Sequence, residues 1–202
     1  MLDAVLLEWE GVLADTTVAR REAMRRALAD EGVQHDALVG DPALADLVAL
    51  RATRAFAERI GKGLVLLPGA RAFVERVQIA SRVAIVTSAT RAETEFMLSL
   101  AGLDGAVATI VSADDMLDGV ATFERAIAQL ARVRPVKRDH VVALASTSSA
   151  LHAARAADVR TIAVAAPAHV ALDANGALSS IDGVTVADLA RLAGIATMEH
   201  RG

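Results

Sequence analysis

The sequence predicts an α/β fold, a doubly wound, Rossmann-like parallel sheet carrying a small inserted helical cap. Short apolar runs at Ala4 to Leu7, Val83 to Val86, Val107 to Val111, Val141 to Ala145 and Thr161 to Val164 read as buried strands. Amphipathic stretches of helical period lie between them, and apolar strands separated by helices are what a parallel sheet covered on both faces requires. Between the first run and the second lie roughly 75 residues, far more than a single crossover needs.

That gap reads as a cap over residues 17–66, inserted into a core formed by 1–16 and 67–202. Two helices fill it, Val18 to Glu31 and Pro42 to Ile60. Asp41-Pro42 supplies a capping side chain and a proline at the first helical position, and Gly32 and Gly61 stand where the helices should stop. Asp15 and Thr16 read as caps of the first helix. The chain re-enters the core at Leu67-Pro68-Gly69, and a helix over Ala70 to Ala80 leads into the second strand. Thr90-Arg91-Ala92-Glu93 has the pattern of a capping box. The turn Thr87-Ser88-Ala89 therefore sits between a strand's carboxyl end and a helix N-terminus, where anions are favoured. Ser146-Thr147-Ser148-Ser149 reads first as a loop and N-cap, and second as hydroxyls offered to an anion.

At 202 residues, 54% hydrophobic and 23% charged, the composition suits a folded soluble domain, and the net charge of −4 offers no basic footprint for nucleic acid. With no cysteine, disulfides, thiolate metal sites and cysteine nucleophiles are excluded. The acidic start MLDAVLLEWE does not read as a signal peptide, and no apolar stretch approaches the roughly 20 residues of a membrane helix, so no membrane association and a cytoplasmic location are expected. His35, His140, His152, His169 and His200 lack metal-ligand spacing. Arg20, Arg21, Arg25 and Arg26 form a basic stretch whose Glu22 to Arg26 spacing suggests solvated helix pairs rather than a substrate site.

Residues 5 to 16, Val-Leu-Leu-Glu-Trp-Glu-Gly-Val-Leu-Ala-Asp-Thr, resemble the first motif of the haloacid dehalogenase (HAD) superfamily, an apolar strand ending in Asp-x-Asp-Gly-x-Leu-x-Asp-Ser/Thr. The likeness extends over most of the chain. It points to the branch with a helical cap after the first motif, which includes phosphoglycolate phosphatases and β-phosphoglucomutases. The resemblance implies that the two acidic positions, Glu8 and Glu10 here, are those of the phosphoryl-accepting nucleophile and the general acid/base, and that both help hold Mg²⁺. Val83-Ala84-Ile85-Val86-Thr87-Ser88 resembles the second motif, implying a phosphate-binding role for Thr87, with Ser88 as the alternative. Leu67-Pro68-Gly69 resembles that branch's re-entry into the core, and Ala101-Gly102-Leu103, Ile110 to Asp115 and Ala156 to Val164 follow the family's usual course.

Three of the four motifs depart from the pattern. The family's Asp residues are Glu8 and Glu10. The third motif should present a Lys before the helix near Phe123, yet the chain reads Met116-Leu117-Asp118-Gly119-Val120-Ala121-Thr122, and its two lysines, Lys62 and Lys137, lie elsewhere. The fourth should carry an acidic pair after the fourth strand, where Ala145-Ser146-Thr147 stands. Glu for Asp adds a methylene, and a misplacement of about 1 Å costs on the order of 100-fold in rate. The remaining ligands, Glu8, Glu10 and the residue 10 carbonyl, make at most a weak Mg²⁺ site. Without the Lys, negative charges face one another. These substitutions predict a HAD-like scaffold inactive as an ordinary Mg²⁺-dependent phosphatase. It would retain phosphate or small-metabolite binding at Thr87, Ser88 and Ser146, or serve a protein partner. The alternative is a hydrolase of small phosphorylated metabolites that uses Glu8 as nucleophile. A dehalogenase meets the same absences.

Overall fold

The computed structural model describes residues 2–115 and 122–195. Its order is β1 (Ala4–Glu8), α1 (Thr17–Glu31), α2 (Pro42–Gly61), α3 (Ala70–Ala80), β2 (Arg82–Val86), α4 (Arg91–Ala101), β3 (Thr109–Val111), α5 (Thr122–Ala131), β4 (Val141–Ala145), α6 (Ser148–Ala156), β5 (Arg160–Val164), α7 (Ala168–Ala171), β6 (Gly176–Leu178) and α8 (Val186–Leu192). Short 3₁₀ turns at His35–Gly40, Ala113–Asp115 and Arg138–His140 link some of them. The chain divides into two compact units, Met1–Ala14 with Leu66–Gly202, and Asp15–Val65.

In the first unit the described strands form one all-parallel sheet in the order β3-β2-β1-β4-β5-β6. β1 is central, with Ala4 opposite Arg82 on one side and Val141 on the other. The alternation of side chains along a strand sorts the core. Ala4, Leu6, Ala84, Val86, Val141 and Ala143 share one buried cluster with Phe123, Ala126, Ile127 and Leu130 of α5 and Ala154 of α6. Glu8, two residues beyond Leu6, is thereby assigned to the α5/α6 face, at the point where strand order reverses. In open α/β sheets that is where ligands bind.

Beyond β1 the chain turns at once. Gly11, at φ +73°, donates its N–H to the Ala14 carbonyl at 2.8 Å, and the Leu13 and Ala14 amides return to the Trp9 carbonyl at 3.0 and 3.2 Å. A bridge from Ala14 to Leu66 then rejoins the two segments of this unit.

The second unit packs α1 on α2 around Ala23, Ala27, Val48, Phe56 and Ile60. Arg20 lies over the Phe56 ring, 4.3 Å from its centroid. Asp41 caps α2 by accepting from the Leu44 N–H at 3.0 Å, with Pro42 at the first position. One local expectation changes. At α1 it is Asp15 that caps, accepting from the Thr17 N–H at 3.1 Å, while the Thr16 hydroxyl makes no cap bond and accepts instead from Arg20 Nε. α2 ends at Gly61, as expected, with a right-handed Lys62 as its cap, whereas Gly32 ends α1 in the left-handed conformation, where a glycine carries no Cβ penalty. Ion pairs join the two helices as well as neighbours on one: Arg26 of α1 meets Glu58 of α2 at 3.1 Å and Asp30 of its own helix at 4.0 Å, and Glu22 of α1 meets Arg59 of α2 at 3.5 Å. No helix among the described residues is long and apolar enough to cross a membrane.

Candidate active site

The carboxyl ends of β1, β2 and β4 open into a cavity of about 440 Å³ lined by Glu8, Glu10, Thr87, Ser88, Thr147 and Ser149 over an apolar floor that includes Val86 and Phe123. Four of the five residues expected from sequence thus meet around one space. The fifth, Ser146, is not among the lining residues.

Ser146 is engaged with Glu8. Its N–H donates to Glu8 Oε2 at 2.7 Å and its hydroxyl lies 3.1 Å from the same oxygen. The neighbouring Thr147 adds its N–H to Oε2 at 3.3 Å and donates its hydroxyl to Oε1 at 2.7 Å. Ser146 Oγ also lies 3.0 Å from the Glu10 carbonyl, and since a hydroxyl has one proton, it serves one acceptor at a time. Thr147 is the N-cap of α6, its oxygen accepting from the Ala150 N–H at 3.3 Å. The Glu8 carboxylate is therefore the anion at the α6 N-terminus, where the helix dipole and unpaired amides favour negative charge. The extra methylene of Glu gives the side chain about one bond length more reach toward this loop than Asp would have.

Gly11 makes this closeness possible: a Cβ there would lie 2.3 Å from Ser146 Oγ. Trp9, between the two glutamates, is fully buried, and its indole N–H has no hydrogen-bond partner.

Thr87 is buried at the end of β2. Its N–H donates to the Val111 carbonyl at 2.9 Å and its oxygen accepts from the Ala89 N–H at 3.1 Å, which leaves the hydroxyl proton as its contribution to a ligand. Ser88 is exposed on the cavity rim. At the start of α4 the expected cap is present, Thr90 accepting from the Glu93 N–H at 3.3 Å, and Asp114 accepts from the Arg91 N–H at 2.6 Å. Next to it, Asp115 accepts from the N–H and hydroxyl of Ser112, both at 2.8 Å, and pairs with Arg91 at 2.9 Å. Burial works to raise the Asp115 carboxyl, but the Ser112 donors and the Arg91 guanidinium outweigh it and hold it below the ordinary aspartate value.

Among the described residues that line the cavity there is no lysine or arginine. The Lys137 N–H donates to Asp3 at 2.9 Å just before β4 and β1 begin, so it stands at the opposite edge of the sheet, about 16 Å from Glu8 at the rise of a parallel strand. Lys62 follows α2 in the other unit. The segment expected to hold the third motif, 116–121, and also His200, lie outside the described residues.

Mg²⁺ demands near-octahedral oxygens at about 2.0 to 2.1 Å and gives up its waters reluctantly. Both Glu8 oxygens already accept protein donors, Ser146 lies against the Glu10 carbonyl, and no group of three or more His, Asp or Glu among the described residues is placed to hold a metal. The donor set does not fit a Mg²⁺ ion.

Thr147 and Ser149, which read from sequence first as loop and cap, also line the cavity, as does Thr122. The serine-threonine run was the available signal for the first two. For Thr122 there was none.

A doubly wound parallel sheet with carboxylates at its central switch point places this chain in a recognisable structural class. No family model and no curated protein sequence matches the chain. Solved structures do. It is similar to CbbY from Rhodobacter sphaeroides in complex with phosphate, at 20% identity and a TM-score of 0.80 over 94% of this chain and 99% of that one. It is also similar to β-phosphoglucomutase from Clostridium difficile, at 14% and 0.77 over 96% and 98%. A HAD hydrolase of family IA, variant 3, from Entamoeba histolytica matches at 16% and 0.71 over 96% and 100%. The chain therefore shares the fold of these structures, a HAD-like α/β fold.

Proposed function

We propose that this chain is a HAD-fold protein that does not carry out Mg²⁺-dependent phosphoryl transfer and instead binds a small metabolite in the cavity at the carboxyl edge of its sheet, with residues 15–65 serving as a cap. The observation that supports this reading is the occupation of Glu8. A nucleophilic carboxylate needs an uncommitted oxygen aimed at its target and positive charge nearby to offset the transferring group. Glu8 has donors on both oxygens and, among the described lining residues, no cation beside it. The second reading, an enzyme using Glu8, draws on one observation: Glu8 and Glu10 both line the cavity.

The test combines calorimetric titration with Mg²⁺ and a Mg²⁺-dependent p-nitrophenyl phosphate assay. The expected outcome is no saturable heat at millimolar Mg²⁺ and no metal-dependent release. Saturable Mg²⁺ binding, or turnover, that Glu8→Gln abolishes while the fold survives overturns the proposal.

A further inference from the structure

The edge at which the strands begin carries a second cavity, whose chemistry is independent of the binding role proposed above. Around the start of β2, the end of α3, the 104–108 turn and the turn after α5 surround about 450 Å³, lined by Ile79, Arg82, Ala106, Val133 and Arg134 among others.

Arg82 is fixed there by backbone oxygens. Its Nη1 donates to the Leu130 and Arg134 carbonyls at 2.8 and 2.7 Å, and its Nη2 donates to the Pro135 carbonyl at 3.1 Å. A guanidinium has five N–H groups, so two are left, the Nε–H and one on Nη2. The Nε atom is buried and has no hydrogen-bond partner. A buried donor without an acceptor is a standing cost to the fold, and it calls for a partner that the protein itself does not supply. Nε and Nη2 share one edge of the planar group, the edge that takes a carboxylate by two parallel N–H···O bonds.

The charge is unmet as well as the donor. Among the described residues that line this cavity there is no aspartate or glutamate, while Arg134 brings a second guanidinium. Burial first, and the Arg134 charge second, pull Arg82 below the ordinary arginine value; Asp3, whose carboxylate accepts from the Lys137 N–H, acts the other way. Two cations therefore repel across a space whose lining holds no acid.

The rest of the lining selects among anions. Ile79 and Val133 are 85% and 87% exposed, and both belong to this one cavity, with Ala80, Ala106 and Ala108. Clustered exposed apolar side chains mark binding surfaces in a way that scattered ones do not. Inorganic phosphate would use the two cations and leave this apolar surface in water. A molecule with a carboxylate at one end and an aliphatic body at the other uses both.

We propose that this cavity binds a small organic carboxylate, its oxygens on the Nε/Nη2 edge of Arg82 and on Arg134, and its aliphatic body against Ile79 and Val133.

The ¹⁵N-labelled protein is titrated with hexanoate, n-hexanol and inorganic phosphate at pH 7. Hexanoate should bind saturably in the millimolar range, about tenfold more tightly than hexanol and more weakly as salt rises. The amide signals that move should be those of Ile79, Gly105 and Val133, and not those of Thr87 and Thr147 in the other cavity. Arg134→Gln changes an exposed side chain and keeps the carbonyl that Arg82 binds, so the fold should survive, as circular dichroism would verify. It should cost about tenfold in hexanoate affinity and leave the hexanol response in place. Val133→Ser should weaken hexanoate and hexanol alike, by about threefold. No saturable hexanoate binding, shifts centred on Thr87 and Thr147, tighter binding of phosphate than of hexanoate, or an affinity that Arg134→Gln leaves intact each overturns the proposal.

Discussion

Two strands of this sheet end in the same device, and the two devices differ in what surrounds them. After β3, Ser112 directs its N–H and hydroxyl to one oxygen of Asp115; after β4, Ser146 directs the same two groups to one oxygen of Glu8. The Asp115 clasp is local, three residues long, and neutralised by Arg91. The Glu8 clasp spans 138 residues of sequence and is built from neutral donors alone. The first closes a turn. The second fastens two adjacent strands at the switch point and leaves its charge facing a cavity. A carboxylate with a cation beside it is finished as structure, whereas one held by hydroxyls and amides keeps its charge available to a ligand.

The contrast breaks most severely at Gly11→Ala. A side chain there meets Ser146 Oγ and must also adopt positive φ, so a loss of about 3 kcal/mol is expected in urea unfolding, together with displacement of Ser146. Glu8→Leu removes the acceptor and strands the Ser146 and Thr147 donors. Because water can reach part of the group, the expected cost is about 2 kcal/mol, and faster amide exchange should follow at Ser146 and Thr147. If Glu8→Leu unfolds no more easily than wild type, the long-range clasp does not hold the strands.

Asp115→Ala should cost less, about 1 kcal/mol, because its partners are local and solvent replaces them. The pH dependence sharpens the same distinction. Asp115 is depressed in the folded protein, so its stabilisation is present above the unfolded aspartate value near 3.9 and is lost as pH falls through the lower folded value. Asp115→Asn should flatten that part of the acid limb in a series of melts. Smallest in energy is Asp188, held down to about 2 by the Thr185 hydroxyl, then Arg191, then the Thr185 amide. A carboxyl NMR titration should find its midpoint there.

Much of the fold was legible because its signals are local. β4 and α3 have the bounds their apolar runs indicate, and Asp41 and Thr90 cap where their spacing predicts. β6 escaped because Gly176-Ala177-Leu178 is three residues with no alternation to detect, and it owes its conformation to pairing with β5. The candidate site was legible in membership and less so in wiring. Glu8, Glu10, Thr87 and Ser88 line the cavity as their strand-end positions suggested. That Glu8 would bind Ser146 and Thr147 was not readable, since it depends on β1 and β4 lying side by side.

The central position of β1 bears on the order of assembly. Its pairing partners, Arg82 onward and Val141 onward, leave the ribosome after the whole of residues 15–65, whose two helices can form from contacts near in sequence. The strand synthesised first among those of the sheet is thus paired late, its apolar run Ala4 to Leu7 waiting without a neighbour while the insertion folds. Fastening its end to the β4 loop through Glu8 is a step that becomes available only when most of the chain has emerged.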